Sequence, residues 1–327
     1  MQCPSCKSEA RKFGKNRNGS QRFQCMECKA TFTPVDDRPL GAMRLEPAKA
    51  IMCLRQLLEG TSIRATERLT GVNRNTIMSL VVIIGSRCKK LLESAIHGVK
   101  VDDVQADEIW GFVGMKEKTR VRLGLAEDGV GDVWCFTAME RHTKLILTHH
   151  VGKRTPEDTA HFADNLYHAT SGRFQLTTDG FTPYRTTIPA ILGDRVDFAI
   201  LVKVYGHSEE DRGYSPGQVV DTIKTPCCGD PDEAGICTSH IERSNKTLRM
   251  QIRRMTRLTD AHSKKWENHE HAMALFFAFY NFCRSHGTLT KNAEGRKSTT
   301  PAMAAGLTDH VWSVGELLTK MAESTHC

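Results

Sequence analysis

The feature that most limits what this chain can fold into is a change of period at Val101, where helical spacing gives way to strands. Val104 to Val113 alternates in polarity, and Asp132 to Met139 and Lys144 to Val151 read as two more strands joined by a polar turn at Arg141-His142-Thr143. Val121 to Leu125 reads as a short strand or part of an insertion. Thr155-Pro156-Glu157 opens a helix to about Ala169, Phe174 to Thr178 is a strand, Thr182 to Ile191 a helix, and Val196 to Val204 a nearly continuous apolar strand. Three strands followed by helix, strand, helix, strand and helix predict an α/β fold: a mixed five-stranded sheet with helices on both faces.

Three carboxylates stand out against that frame. Asp107 lies inside the first strand, where Asp107 and Glu108 point to opposite faces, so that only one of them joins a given site. Asp179 ends the fourth strand. Glu242 sits near the start of Ser239 to Leu258, which reads as one helix carrying Glu242, Lys246, Arg249, Arg253 and Arg257 along a single stripe. That stripe is too charged for a core, while Leu248, Ile252 and Met255 lie off it and can pack inward. The bland reading is a solvated face with an ordinary Glu242–Lys246 ion pair. If the first and fourth strands are neighbours, however, both aspartates meet at the carboxyl edge of the sheet. Like charges that close need cations, and two magnesium ions (or manganese in their place) would serve, in a centre suited to in-line phosphoryl transfer. Lys246, Arg249 and Arg253 would then lie beside the metals, placed for a DNA backbone.

The N-terminal 35 residues carry two C-x-x-C pairs, Cys3 with Cys6 and Cys25 with Cys28, at the spacing of a four-thiolate zinc site. Asn18-Gly19 between them is a hairpin-turn dipeptide, which predicts a zinc ribbon. So short a piece buries too little apolar surface to fold alone, and the ion would supply the missing stability. Lys7, Arg11, Lys12, Lys15, Arg17 and Arg22 against only Glu9 and Glu27 suit phosphate contacts, although basic ribbons also serve in protein contacts. After a linker at Asp36 to Pro39, Pro47 opens a helix ended by Gly60. Ser62 to Leu69, a turn at Gly71 and a helix from Arg74 to about Ile84 then form a helix-turn-helix pattern, with Ser62 and Asn73 as caps. Arg74, Asn75, Thr76 and Ser79 would face DNA. Cys53 and Cys88 read as core thiols.

A net charge of +7, with the basic residues clustered in the N-terminal segment and the Glu242 helix, points to a polyanionic partner. The chain shows no apolar run long enough for a bilayer and no signal-peptide pattern, so its twelve cysteines read as reduced thiols and metal ligands in the cytoplasm. Tyr205 to Cys237 fits no pattern and reads as a loop in which Arg212 and Tyr214 touch DNA; Cys227, Cys228, Cys237 and His240 make a poor second zinc set, because adjacent cysteines reach one tetrahedral ion with difficulty. His149 and His150 have no visible carboxylate partner. Trp266 to Phe282 is a long buried helix, Thr300-Pro301 starts a short one, and Val311 to Met321 reads as a last helix docked on the core or on a partner subunit.

The strings Ala106-Asp-Glu-Ile-Trp-Gly-Phe-Val-Gly, Thr177-Thr-Asp-Gly-Phe and Ser239-His-Ile-Glu-Arg-Ser-Asn resemble those of the insertion-sequence-one family of bacterial DDE transposases, relatives of retroviral integrases. Tyr280-Asn-Phe-Cys-Arg-Ser-His and Thr300-Pro-Ala-Met-Ala-Ala-Gly-Leu do so too, and the likeness covers nearly the full length. It implies a ribonuclease-H-like catalytic core over residues 101–290, after a zinc ribbon (1–35) and a helix-turn-helix segment (36–100) and before a C-terminal tail (291–327). It also implies Asp107, Asp179 and Glu242 as the acidic triad, and double-stranded DNA, both the inverted ends of an insertion element and the target, as partner. Metal-activated water would cut a strand at the end of the insertion element, and the freed 3′-hydroxyl would attack the target. Joining two ends calls for a homodimer or larger. The competing reading is a non-catalytic DNA-binding regulator or decayed relative, whose core only assembles subunits.

Overall fold

The computed structural model describes residues 1–16, 21–33, 40–41, 43–126, 129–206, 218–256 and 260–323. Strands β1 (Ala10–Lys15), β2 (Gln21–Cys25) and β3 (Thr31–Phe32) open the chain, β1 and β2 pairing antiparallel and β3 adding to β2. The expected Asn18-Gly19 turn with Arg17, and the linker at Asp36 to Pro39, lie outside the described residues. Three helices follow: α1 (Pro47–Leu58), α2 (Ile63–Thr70) and α3 (Arg74–Ala95). Their boundaries are chemical. Ser62 Oγ accepts from Ala65 N at 3.2 Å, Gly71 ends α2 at φ +70°, and Asn73 Oδ1 accepts from Asn75 N at 2.9 Å.

Helix α3 does not stop near Ile84. Its apolar stripe, Ile77, Leu80, Ile84, Cys88 and Leu91, continues in helical register and is buried throughout. Gly85 is the close-approach point. A Cβ there would stand 2.1 Å from the carbonyl oxygen of His271, in the long helix packed across α3.

After the two-residue β4 (Val99–Lys100) comes an 11-residue strand of the central sheet, β5 (Asp103–Val113). Where a short strand or insertion is expected near Val121, the chain forms α4 (Glu117–Arg122), a mostly polar turn of helix with Val121 exposed, held by a Glu117–Arg120 ion pair and by Asp132 Oδ1 accepting from Glu117 N at 2.9 Å. It buries no residue, so nothing draws it into the sheet. Then come β6 (Gly131–Glu140), β7 (Ile146–Gly152), α5 (Pro156–Ala169), β8 (Thr170–Ser171, paired with β4), β9 (Phe174–Thr178), α6 (Tyr184–Leu192) and β10 (Val196–Gly206). They are followed by β11 (Gln218–Cys228), α7 (Ser239–Gln251), α8 (Trp266–Phe282), α9 (Gly287–Asn292), α10 (Pro301–Ala304) and α11 (Val314–Glu323).

The central sheet is mixed and has six strands in the order β11-β10-β9-β5-β6-β7, one more than the expected five. The extra strand is β11, inside the stretch read as a loop. Its Val219, Val220 and Ile223 are exposed, so no buried face marks it in the sequence, and Pro226 is tolerated because β11 is an edge strand. Arg212 and Tyr214 lie outside the described residues. The first and fourth strands of the sequence reading, β5 and β9, are parallel neighbours. Helices α5 and α6 cover one face; α7 and α8 lie against the other.

One large apolar core joins the three-helix segment to the sheet and α8, with a small second cluster of Ala199, Leu201 and Ile236. Leu54, Ile77 and Cys88 from the three-helix segment share the large core with Phe136 and Phe198 of the sheet, with Phe162 of α5 and with Phe276, Phe277 and Phe282 of α8. Each such ring contributes about 2–3 kcal/mol by leaving water. Cys53 and Cys88 are core thiols, as read. Asn281 pins α8 to β7, accepting from Ile146 N at 3.0 Å and donating to Ile146 O at 2.9 Å. The last helix docks on the core, where Leu317 and Leu318 are buried and the preceding Trp312 stacks on Phe282 at 4.4 Å. His149 is half-buried with its ring 4.8 Å from that of Phe277, and desolvation lowers its pKa to about 4. His150 does have a carboxylate partner, Asp158 at 2.7 Å, which the sequence reading missed because the pair forms between a strand and the next helix.

Because α3 and α8 touch backbone to backbone at Gly85, Gly85→Ala is expected to destabilise the protein by about 1–3 kcal/mol through overpacking. Urea denaturation followed by circular dichroism measures this, and an unchanged midpoint would remove the tight crossing.

Candidate functional site

Parallel pairing of β5 with β9 sets the geometry of the acids. Gln105 stands opposite Thr177; continuing that register by two residues brings Asp107, in β5, level with Asp179, which directly follows the end of β9, on the same face. That face is the one α7 covers. Gln105 Oε1 accepts from the backbone amides of His240 and Ile241, at 3.0 and 3.2 Å, and so fixes the start of the helix that carries Glu242. Asn245, one turn on, donates to Asp107 Oδ2 at 2.8 Å. Burial first, and then the charges of Asp179 and Glu242, push the Asp107 pKa up to about 7. The three acids thus feel one another, with Asp107 as the buried member.

They are not gathered into a ready ligand set. Among the described residues the only His, Cys, Asp or Glu group whose ligand atoms all lie within 4.8 Å of one another is the N-terminal cysteine cluster. Each acid is instead held by a different donor. Lys203, on β10, donates to both carboxylate oxygens of Glu242, and Thr238 Oγ1 adds a hydrogen bond at 2.7 Å. Arg154 reaches Asp179 Oδ2 at 3.6 Å, while Phe181 N donates to Asp179 Oδ1 at 3.0 Å.

Arg154 also serves the other face of β5. Its guanidinium donates to the buried Glu108 at 3.0 Å and lies over the rings of Trp134 and Phe181, at 4.7 and 4.2 Å. Burial raises the Glu108 pKa to about 8, with the charge of Asp179 adding to the effect. The buried Tyr184 hydroxyl stands beside Glu108 and offsets part of that rise. Sequence reading missed Arg154, Lys203 and Asn245. Arg154 carried one weak signal, an isolated cation directly before the Thr155 cap. Asn245 lies three residues beyond Glu242 and so shares its side of the helix; Lys203 had no signal at all.

Helix α7 is shorter than expected. It ends at Gln251; Ile252 is extended, and a 3-10 turn covers Arg253–Met255. Leu248, Ile252 and Met255 do pack inward, and burying Ile252 and Met255 is what turns the chain out of the helix. The single stripe is broken accordingly. Lys246 is exposed on α7 and Arg253 is exposed on the 3-10 turn, whereas Arg257 lies outside the described residues. Arg249 is half-buried and works as a clamp, donating to Met255 O at 2.9 Å and Trp110 O at 3.0 Å. In the N-terminal half, Arg74, Asn75 and Ser79 are exposed along the start of α3, and Thr76 is half-buried.

The four cysteines converge. Cys3 and Cys28 sulfurs are 3.7 Å apart, and those of Cys6 and Cys25 are 3.4 Å apart. A tetrahedral zinc with four thiolates has sulfurs about 3.8 Å apart, so the donor set fits that ion. Hydrogen bonds from the Ser8 backbone and side chain and from Cys25 bring the Cys6 pKa down to about 6, whereas the neighbouring thiols Cys25 and Cys6 push that of Cys28 up to about 12.

The chain matches no family model and no curated protein. Among solved structures it is similar to one described as a piggyBac transposase synaptic complex with hairpin DNA, at 10% identity and a TM-score of 0.37, over 87% of this chain and 73% of that one. So slight a likeness leaves the fold to be argued from this chain's own strands.

Two outcomes are expected. The folded Asp107 holds its proton to about pH 7, against 3.8 for the free group, so stability is lost as pH rises through that window. Asp107→Asn should therefore match the parent near pH 4 and exceed it above pH 7, by on the order of 2–4 kcal/mol. Urea midpoints measured without divalent ions across that range report the difference. For the ribbon, replacing Cys25 and Cys28 together with serine should abolish stoichiometric zinc in elemental analysis and weaken DNA binding; full zinc content would refute the four-thiolate centre.

Proposed function

We propose that this chain is a DDE transposase of the insertion-sequence-one family, a metal-dependent polynucleotidyl transferase with a ribonuclease-H-like core. The observation that carries this reading is the level placement of Asp107 and Asp179 on neighbouring parallel strands, with the charge of Glu242 close enough to raise the Asp107 pKa. Resemblance of the surrounding motifs supports it. Asp107, Asp179 and Glu242 would serve as ligands to magnesium or manganese once Asp179 and Glu242 leave Arg154 and Lys203. Divalent ions there would supply Lewis acidity to a phosphodiester and to the oxygen attacking it.

The chain's own groups do the rest. Asn245 orients Asp107, Arg154 steadies the Asp179 turn, and Lys203 stands beside Glu242 where the negative phosphate would arrive. The zinc ribbon and the exposed Arg74, Asn75 and Ser79 would hold double-stranded DNA at the ends of the insertion element, with Lys246 and Arg253 on the backbone. Joining two ends requires at least a homodimer. No helix among the described residues is long and apolar enough to cross a membrane.

A non-catalytic DNA-binding role is the second reading. What favours it is that Lys203 and Arg154 neutralise Glu242 and Asp179 without any ion.

Incubation with magnesium and DNA carrying the flanking inverted repeats decides between them. The transferase is expected to cut a strand at the repeat end, and Asp107→Asn should lower the rate at least a thousandfold while leaving binding intact. Binding without metal-dependent cleavage would establish the second reading.

A further inference from the structure

Helix α7 has a second working face. At 100° per residue, His240, Arg243, Ser244 and Thr247 fall on the side opposite Glu242, Asn245 and Arg249. That side closes a cleft of about 440 Å³ with Lys144, from the turn between β6 and β7, and with Arg284 and His286, from the end of α8. Every polar side chain lining it is a cation, a histidine or a hydroxyl, and no carboxylate lines it.

The charge in this cleft is poorly answered by the protein. Lys144 is buried and sits at φ +62°, a conformation that an L side chain adopts only under strain. Its ammonium donates to the Arg141 carbonyl and lies 3.3 Å from His240 Nδ1. The nearby Glu140 carboxylate is committed to the amides of His142 and Thr143 and to the Thr143 hydroxyl. Arg284 reaches a neutral amide, Gln251. The buried Nδ1 of His286 has no hydrogen-bond partner. Burying cations and orphan imidazole nitrogens without an anion is costly, and an anion entering the cleft would relieve it.

We propose that this cleft binds a phosphate group, and that its natural occupant is a phosphodiester of a nucleic-acid backbone. Only the choice of occupant rests on the transferase reading. The cleft stands back to back with the acidic site across one helix, so a strand held here would brace α7 from behind. Arg243, exposed at the mouth, makes first contact; Lys144, Arg284 and His286 line the inner wall.

The test uses the full chain in buffer free of divalent ions. Duplex DNA of two unrelated sequences is titrated by fluorescence anisotropy over a potassium chloride series, and inorganic phosphate is titrated by calorimetry. The variants are Arg243→Gln and the double Arg243→Gln with Arg284→Gln. Loss of affinity by about tenfold for both sequences, with the salt slope shallower by about 1 per arginine removed, is the expected result. Phosphate heat abolished by the substitutions supports the cleft as well and shows that free phosphate enters it; a changed slope without such heat shows that the diester backbone is required. Unchanged affinity and slope in both variants, with no phosphate heat that they remove, overturns the proposal. Because no metal is present, failure of Asp107→Asn to affect cleavage would sink the transferase reading and leave this one standing.

Discussion

Pairing of β5 with β9 is the constraint from which the rest follows. Two aspartates reach the same height on adjacent strands, at the edge of a sheet covered by α5 and α6 on one face and α7 on the other. Asp107 is strongly desolvated there, so the repulsion it feels from its neighbours is only partly screened by water. The fold answers with a separate donor for each acid: an amide for Asp107, a guanidinium for Asp179 and an ammonium for Glu242. Those donors come from α7, the segment before α5, and β10. Stability of the acidic cluster is therefore spread over most of the sheet, and no single loop controls it.

Gln105 completes the arrangement. By accepting the amides of His240 and Ile241 it ties the start of α7 to the strand that carries Asp107, two residues away. The helix is then committed on both sides. One side touches the acids; the other faces the basic cleft, with Ile241 and Leu248 buried between them. Arg249 belongs to neither. Its two hydrogen bonds to backbone carbonyls hold the chain as it leaves the helix, which is a structural task for a residue whose charge suggested a nucleic-acid contact.

What could be read from the sequence was whatever is local. Ser62, Asn73 and Thr155 cap helices through their own side chains, and the cysteine spacing already contains the convergence of the four sulfurs. Asp107, Asp179 and Glu242 stood out because each closes or enters a regular element. Lys203 did not, since a lysine on an apolar strand acquires its meaning only from a helix that begins 36 residues later. Strand β11 was hidden for a related reason: an edge strand with an exposed face lacks the buried alternation by which strands are recognised. The end of α7 was overrun because the cationic spacing continued in register beyond Gln251, while tertiary burial of Ile252 and Met255 set the real stop.

Helix α3 runs for 22 residues, about 33 Å, from an exposed first turn to a far end packed in the common core. A bundle joined to the sheet by a pliable tether could search many orientations. Here the crossing at Gly85 acts as a fulcrum, and the angle at which Arg74 and Asn75 meet the outside is set by side chains deep inside the molecule. That first turn is thereby held at one fixed angle to the rest of the core.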